Sequence, residues 1–275
     1  ERAVEIKEGL VTDLKITLFP SLPTIYPLTY NGVAGAALSS DGAKLAFVVP
    51  AVAAGGGVNK KAGVWVWTMS NNQPIAFARS AEPHQIATNT ITDFSKASLK
   101  WSADSKQVLA TVSESNFLLD ADRQNSEPRD ITPILPATIK GWEDDTRAKD
   151  EARVLAIKNA SLRKIASDSG IVKWSPDETK FITDKKVYDL EENKTYDLPQ
   201  AKTHLWLPDS RHIILVEEGV ISVVDFDGTN KAIIYAGKFE DSLVFPWPDS
   251  SRLVFISSFP TPTASEPNLY GINLK

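Results

Sequence analysis

Short apolar runs alternate with polar turns along the whole chain, and five of the runs follow the same phrase. The copies read Leu38-Ser-Ser-Asp41-Gly42, Trp101-Ser-Ala-Asp104-Ser105, Trp174-Ser-Pro-Asp177-Glu178, Trp206-Leu-Pro-Asp209-Ser210 and Pro246-Trp-Pro-Asp249-Ser250. Each is followed by Lys or Arg and then by a β-rich run: Leu45–Val49, Val108–Val112, Phe181–Thr183, Ile213–Val216 and Leu253–Ile256. Pro and Asp at these places are turn formers, because Pro presets φ and the Asp carboxylate accepts from nearby backbone N–H groups. A phrase reused in this way marks one supersecondary unit repeated along the chain.

The fourth unit is the cleanest. Thr203–Leu207, His212–Val216, Val220–Phe226 and Lys231–Ala236 read as four short strands joined by turns, a meander. The third repeats it with Ile171–Trp174, Phe181–Thr183, Lys186–Leu190 and Thr195–Leu198. The first is expected to use Ala34–Leu38, Leu45–Val49, Gly63–Thr68 and Pro74–Arg79; the second, Ala97–Trp101, Val108–Val112, Asn116–Asp120 and Arg129–Ile131. The fifth offers only Leu243–Pro246, Leu253–Ser257 and Asn268–Leu274. The pattern predicts an all-β, five-bladed propeller of roughly 40 residues per blade, over residues 21–275. A sixth blade drawn from residues 1–33 and 80–96 is the alternative.

A blade one strand short leaves an open sheet edge. The alternating stretch Val11–Pro20 is expected to fill it; otherwise residues 1–20 end a preceding module. Gly141–Ser167 breaks the β pattern. Ala148, Ala152, Leu155, Leu162 and Ile165 follow helical spacing, predicting one helix or a helix pair between the second and third blades. Glu143, Asp144 and Asp145 read as its N-terminal acids.

The Trp-Ser-Pro-Asp phrase, with the basic residue and β run after it, resembles the TolB-like, WD-type propeller repeats of bacterial envelope proteins over residues 34–275. Val4–Leu18 resembles the last two strands of a PEGA domain, although that module's name-giving motif is absent. The combination, with Trp142 and the phrase at Val244–Asp249, is similar to surface proteins of candidate-phyla bacteria. The resemblance implies an extracytoplasmic protein, held to a membrane by an anchor outside this chain. The chain begins at Glu1 without Met, which reads as a piece of a longer polypeptide.

Composition narrows the chemistry. A net charge of -5 disfavours nucleic acid and anionic membrane surfaces as partners. Without cysteine there are no disulfides, thiolate metal sites or Cys nucleophiles. His84, His204 and His212 are too scattered for a metal cluster. Neither a nucleophile elbow nor a phosphate-binding Gly-rich loop is present. Asp41, Asp104, Asp177, Asp209 and Asp249 read as structural turn residues on separate blades, and Trp101, Trp174 and Trp206 as inter-blade packing. No catalytic residue, metal or cofactor is expected.

The long segments point elsewhere. Pro50–Lys61 and Ser258–Pro267 are loops between second and third strands, and the helical insertion joins two blades; all belong to the face opposite the Asp turns. Loops on a rigid scaffold are where recognition tends to sit. The expected function is a non-enzymatic interaction or scaffold module holding a protein partner or a cell-wall glycan. Gly55, Gly56, Trp142, Phe259 and Thr261 mark that long-loop face. The alternative is a carbohydrate or small ligand at the mouth of the central channel.

Overall fold

The computed structural model describes residues 17–52, 56–69, 82–259 and 266–275. Five antiparallel sheets of four strands each make up most of the regular structure, a propeller-like, mostly β arrangement. The first sheet runs β2 (Gly35–Leu38), β3 (Lys44–Val49), β4 (Gly63–Thr68) and β5 (His84–Thr88). The second is β6 (Ser98–Trp101), β7 (Gln107–Val112), β8 (Ser115–Asp120) and β9 (Arg129–Asp130). The third is β10 (Lys173–Trp174), β11 (Lys180–Thr183), β12 (Lys186–Asp189) and β13 (Lys194–Asp197). The fourth is β14 (Thr203–Trp206), β15 (His212–Glu217), β16 (Val220–Asp225) and β17 (Ala232–Ala236). The fifth combines β18 (Val244–Pro246), β19 (Arg252–Ser257) and β20 (Asn268–Asn273) with β1 (Ile25–Pro27).

The sheet with the missing strand thus receives one from near the start of the chain, but not the one expected. Ile25 pairs with Ile272 and Pro27 with Tyr270. Of the expected segment, Val11–Ile16 lies outside the described residues, and Thr17–Pro20 is not a strand. Phe19 instead packs on the core between the fourth and fifth sheets and stands edge-on to His212. The expected fourth strand of the first unit is also displaced. Pro74–Arg79 lies outside the described residues, and β5 takes the place beside β4. Ile86 and Ala87 on β5 are fully buried, so packing against the second sheet favours that segment. No sixth sheet forms among the described residues.

Four apolar cores join neighbouring sheets in sequence order: first to second, third to fourth, fourth to fifth, and fifth back to first. The second and third sheets break the series. The third sheet's Phe181 and Tyr188 pack instead on Ile157, Leu162 and Ala166 of the helical insertion. That insertion is a hairpin of α1 (Leu135–Ala156) and α2 (Ala160–Asp168). Asn159 caps α2, its side chain accepting from Ser161 and Leu162 N–H. Helix α1 starts before the expected Gly141, with Pro136 in its first turn, where a proline is tolerated. Glu143, Asp144 and Asp145 therefore lie inside α1, where Asp144 pairs with Arg147.

The five Asp phrases form the expected turns. The residue after each Asp has positive φ, from 57° at Ser210 to 71° at Gly42. Ser39, Ser102 and Ser175 donate their hydroxyls to Asp41, Asp104 and Asp177, and each Asp accepts a backbone N–H two residues on. Asp209 bonds Arg211 and His212 N–H, and Asp249 bonds Ser251 N–H. The turns also lock sheet to sheet. Asp41 N–H donates to Ser105 Oγ of the second sheet, and Asp177 N–H to Ser210 Oγ of the fourth.

These bonds set an acid limit on stability. Burial pushes the carboxyls of Asp41, Asp177 and Asp209 up, but hydroxyl, N–H and His212 donors outweigh it and leave all three below the ordinary aspartate value. At Asp104 the Ser102 hydroxyl leads the same downward shift. A carboxyl depressed by folding stabilises fully above its unfolded pKa, about 4, and that stabilisation fades as pH falls below it. His204 adds an earlier step: burial lowers its pKa, so the fold loses stability as pH falls below about 6.5, where the unfolded imidazole takes its proton. Urea unfolding across pH should show a shallow decline below about 6.5 and a steep one below about 4. His204→Gln should flatten the first limb alone; an unchanged first limb would refute the assignment.

Candidate functional site

Where the second and third sheets fail to meet, the helical hairpin fills part of the gap and leaves a cleft of about 890 Å³. Its walls come from the second sheet (Lys100, Trp101), from α1 (Trp142, Arg147, Val154) and from the third sheet (Val172, Trp174). At 22 residues, α1 is about 33 Å long. The 3-10 turn that leads into it, Thr132–Ile134, lies beside Asn116 near the turn between β7 and β8, where Asn116 N–H donates to Thr132 Oγ1. Helix α1 ends at the Asp turns of both flanking sheets. Lys149 Nζ donates to the Ala103 carbonyl at 3.2 Å, and Arg153 Nε to Glu178 Oε1 at 2.8 Å. At the tip, Asn159 Nδ2 donates to Asn193 Oδ1. The insertion is a connection between blades, as expected, but it does not stay on the face opposite the Asp turns; it crosses from one face to the other.

The local cause is legible at one position. The residue after Asp is Ser105 and Ser210 where turns bridge neighbouring sheets, and Glu178 at this step. Its carboxylate takes Arg153 of α1 instead of contacting the second sheet's turn.

The repeated tryptophans register the same gap. Trp101 Nε1–H donates to the Ala37 carbonyl of the first sheet at 2.8 Å, and Trp206 Nε1–H to the Lys173 carbonyl of the third at 3.0 Å. Trp174 Nε1–H is buried and finds no acceptor. A net hydrogen bond contributes about 1 kcal/mol, and an orphaned buried partner costs more. Trp206→Phe is therefore expected to lower the unfolding free energy by about 1–2 kcal/mol more, in its polar part, than Trp174→Phe. Chemical denaturation of the two variants measures this; equal losses would refute the difference.

Separate blades were expected to keep the Trp rings apart. The gap instead brings Trp101, Trp142 and Trp174 to one cleft. The arginines around it are already engaged, each shared between two carboxylates. Arg147 pairs with Asp144 and Glu151, and Arg153 with Asp150 and Glu178. The helical spacing and the phrase were visible in the sequence, but their meeting at a cleft was not.

The other marked residues scatter. Gly55 and Thr261 lie outside the described residues. Gly56 sits on its loop with open space around it. Phe259 is half-buried and packs edge-on to Tyr270 at 4.6 Å, within the aromatic core of the fifth sheet. The described flanks of the two long loops do converge: Val33 N–H donates to the Pro267 carbonyl, and Asn59 Nδ2 to the Asn31 carbonyl. His212, 5% exposed, is clamped between Asp209 at 2.6 Å and Asp225 at 3.3 Å. This clamp ties the fourth sheet's turn to the end of β16. Among the described residues no group of three side chains is placed to hold a metal ion. No helix among them is long and apolar enough to cross a membrane.

No protein-family model matches the chain, and no curated protein matches it. Similar solved structures include TolB from Acinetobacter baumannii, at 14% identity and a TM-score of 0.28, covering 88% of this chain and 54% of that one. A eukaryotic initiation factor gives 18% identity and a TM-score of 0.25, covering 89% of this chain and 56% of that one. The chain spans about half the length of these structures. Likenesses this low carry no weight for function, and the propeller-like architecture rests on the five sheets.

Proposed function

We propose that the chain is a non-enzymatic recognition module: a five-bladed propeller, closed by β1, whose binding site is the cleft beside the helical hairpin. The observation that carries this reading is the meeting of three indoles with a set of paired charged groups in a space of about 890 Å³, a volume in the usual range for small-molecule sites. Placement in the bacterial envelope, with an anchor outside the chain, rests on the resemblance of the repeated phrase. A second reading, a protein partner docked on the long-loop face, is favoured by the convergence of the loop flanks at Asn31–Val33.

The chain has no cysteine, so a single introduced thiol can be labelled selectively. Thr146→Cys places one on the cleft wall. A panel of soluble saccharides and peptides is scored by thermal stabilisation of the full chain, which rises with ligand occupancy. Stabilisation by a panel member that disappears once the introduced thiol carries a bulky maleimide supports the cleft. Stabilisation that survives the label, but is lost when Pro50–Lys61 and Ser258–Pro267 are shortened, replaces the cleft with the long-loop face.

A further inference from the structure

The polar groups of the cleft point to a class of ligand. Three hydroxyls on its wall have already spent their protons. Ser40 Oγ donates to the Ser102 carbonyl at 3.0 Å, Thr146 Oγ1 to the Trp142 carbonyl at 2.9 Å and Ser169 Oγ to the Ile165 carbonyl at 2.7 Å. Each oxygen is left as an acceptor. The carboxylates of Glu143, Asp150 and Glu151 accept only. The cleft is therefore rich in acceptors, and its Arg147 guanidinium is already engaged by Asp144 and Glu151.

Such a wall suits a ligand rich in O–H donors or a cation. The prior engagement of the carboxylates decides between them. Asp150 and Glu151 are matched by Arg153 and Arg147. The two remaining charged groups, Glu143 and Lys100, are of opposite sign and make no ion pair among the described residues. The cluster stays acidic, with two arginines shared among four carboxylates, but only Glu143 is without an ion pair among the described residues, a poor hold for a cation, and the acidic excess and the chain's charge of -5 work against polyanions. Half-buried Trp142 and Trp174 supply apolar faces, which suit a ligand with flat C–H surfaces between its hydroxyls. We infer that the cleft takes a neutral saccharide segment, its C–H face on an indole and its hydroxyls donating to the Ser, Thr and carboxylate oxygens. This rests on the reading of the cleft as the binding site.

Titration calorimetry with the full chain tests it against three probes: soluble glucose oligomers, soluble N-acetylglucosamine oligomers and a lysine-rich peptide. Trp142 lies on an exposed helix with no fully buried side chain, so its replacement leaves the sheets intact. The expected result is binding of at least one saccharide, weakened on the order of tenfold or more by Trp142→Ala and largely retained by Trp142→Tyr, which keeps a ring. Saccharide affinity unchanged in Trp142→Ala overturns the inference. If the peptide alone binds, and Trp142→Ala abolishes it, the cleft stands as a site but the saccharide assignment falls. If no probe binds, and the maleimide-labelled Thr146→Cys variant loses nothing in the wider panel, both readings fall.

Discussion

Phe255→Ala is expected to lower the unfolding free energy by about 3–5 kcal/mol, the usual cost of emptying a large aromatic site in a core. Phe255 is fully buried on β19, between Val244 and Tyr270 in the sheet register. Its ring lies 5.0 Å from Tyr235 of the fourth sheet, 6.1 Å from Tyr270, 6.2 Å from Phe239 and 6.5 Å from Phe259. The side chain therefore holds its own sheet and the seam to the fourth. The surrounding aromatic rings cannot collapse readily into the space left, which places the cost high in the range. Ile233→Ala is the control: Ile233 is 60% exposed, and its loss should stay within about 0.5 kcal/mol. Denaturant midpoints at constant slope give both numbers. A loss below about 1 kcal/mol for Phe255→Ala would contradict this account of the seam.

Gly63→Ala should be nearly as damaging, for a reason unconnected with burial of apolar surface. Gly63 starts β4 with φ at 142°, a region L side chains rarely adopt. A Cβ added there would stand 2.0 Å from the Ala87 carbonyl oxygen and 2.8 Å from Gln85 Nε2. The oxygen belongs to the backbone of β5, so relief requires pulling β5 away from β4 beside the bulge at Val64–Trp65. Backbone strain and overpacking each cost about 1–3 kcal/mol, and together they predict a loss of about 3 kcal/mol or more. Gly42→Ala separates the two contributions. Gly42 has φ at 71° but nothing within 4 Å of a new Cβ, so only the left-handed conformation is penalised, by about 1–2 kcal/mol. Equal losses for the two variants would show that the β5 contact carries no cost.

The turns were legible because their bonds are short in sequence. Ser39 to Asp41, or Ser175 to Asp177, closes within a few residues, so the residue types alone imply the conformation. Nearly every strand after Asp93 was legible for the same reason, with bounds shifted by a residue or two. The misplaced strands, β1 and β5, depend on distant partners. Leu14–Leu18 alternates as well as any strand, but β20 pairs with Ile25–Pro27, from the opposite end of the chain. Pro74–Arg79 and His84–Thr88 read as comparable β formers in the sequence, and the register of β4 shows it paired with the second of them.

The sequence by itself determined the repeating unit, the turn chemistry and the presence of a helical insertion. Each of these follows from periodicity or from bonds between near neighbours. Only the tertiary structure decided which strand completes the fifth sheet, and that the helices separate the second and third sheets rather than resting on one face. The three indoles share a cleft for that reason alone. Trp101, Trp174 and Trp206 read alike in sequence. What distinguishes them is whether a neighbouring sheet's carbonyl lies within reach of the indole N–H, and that depends on how whole sheets pack.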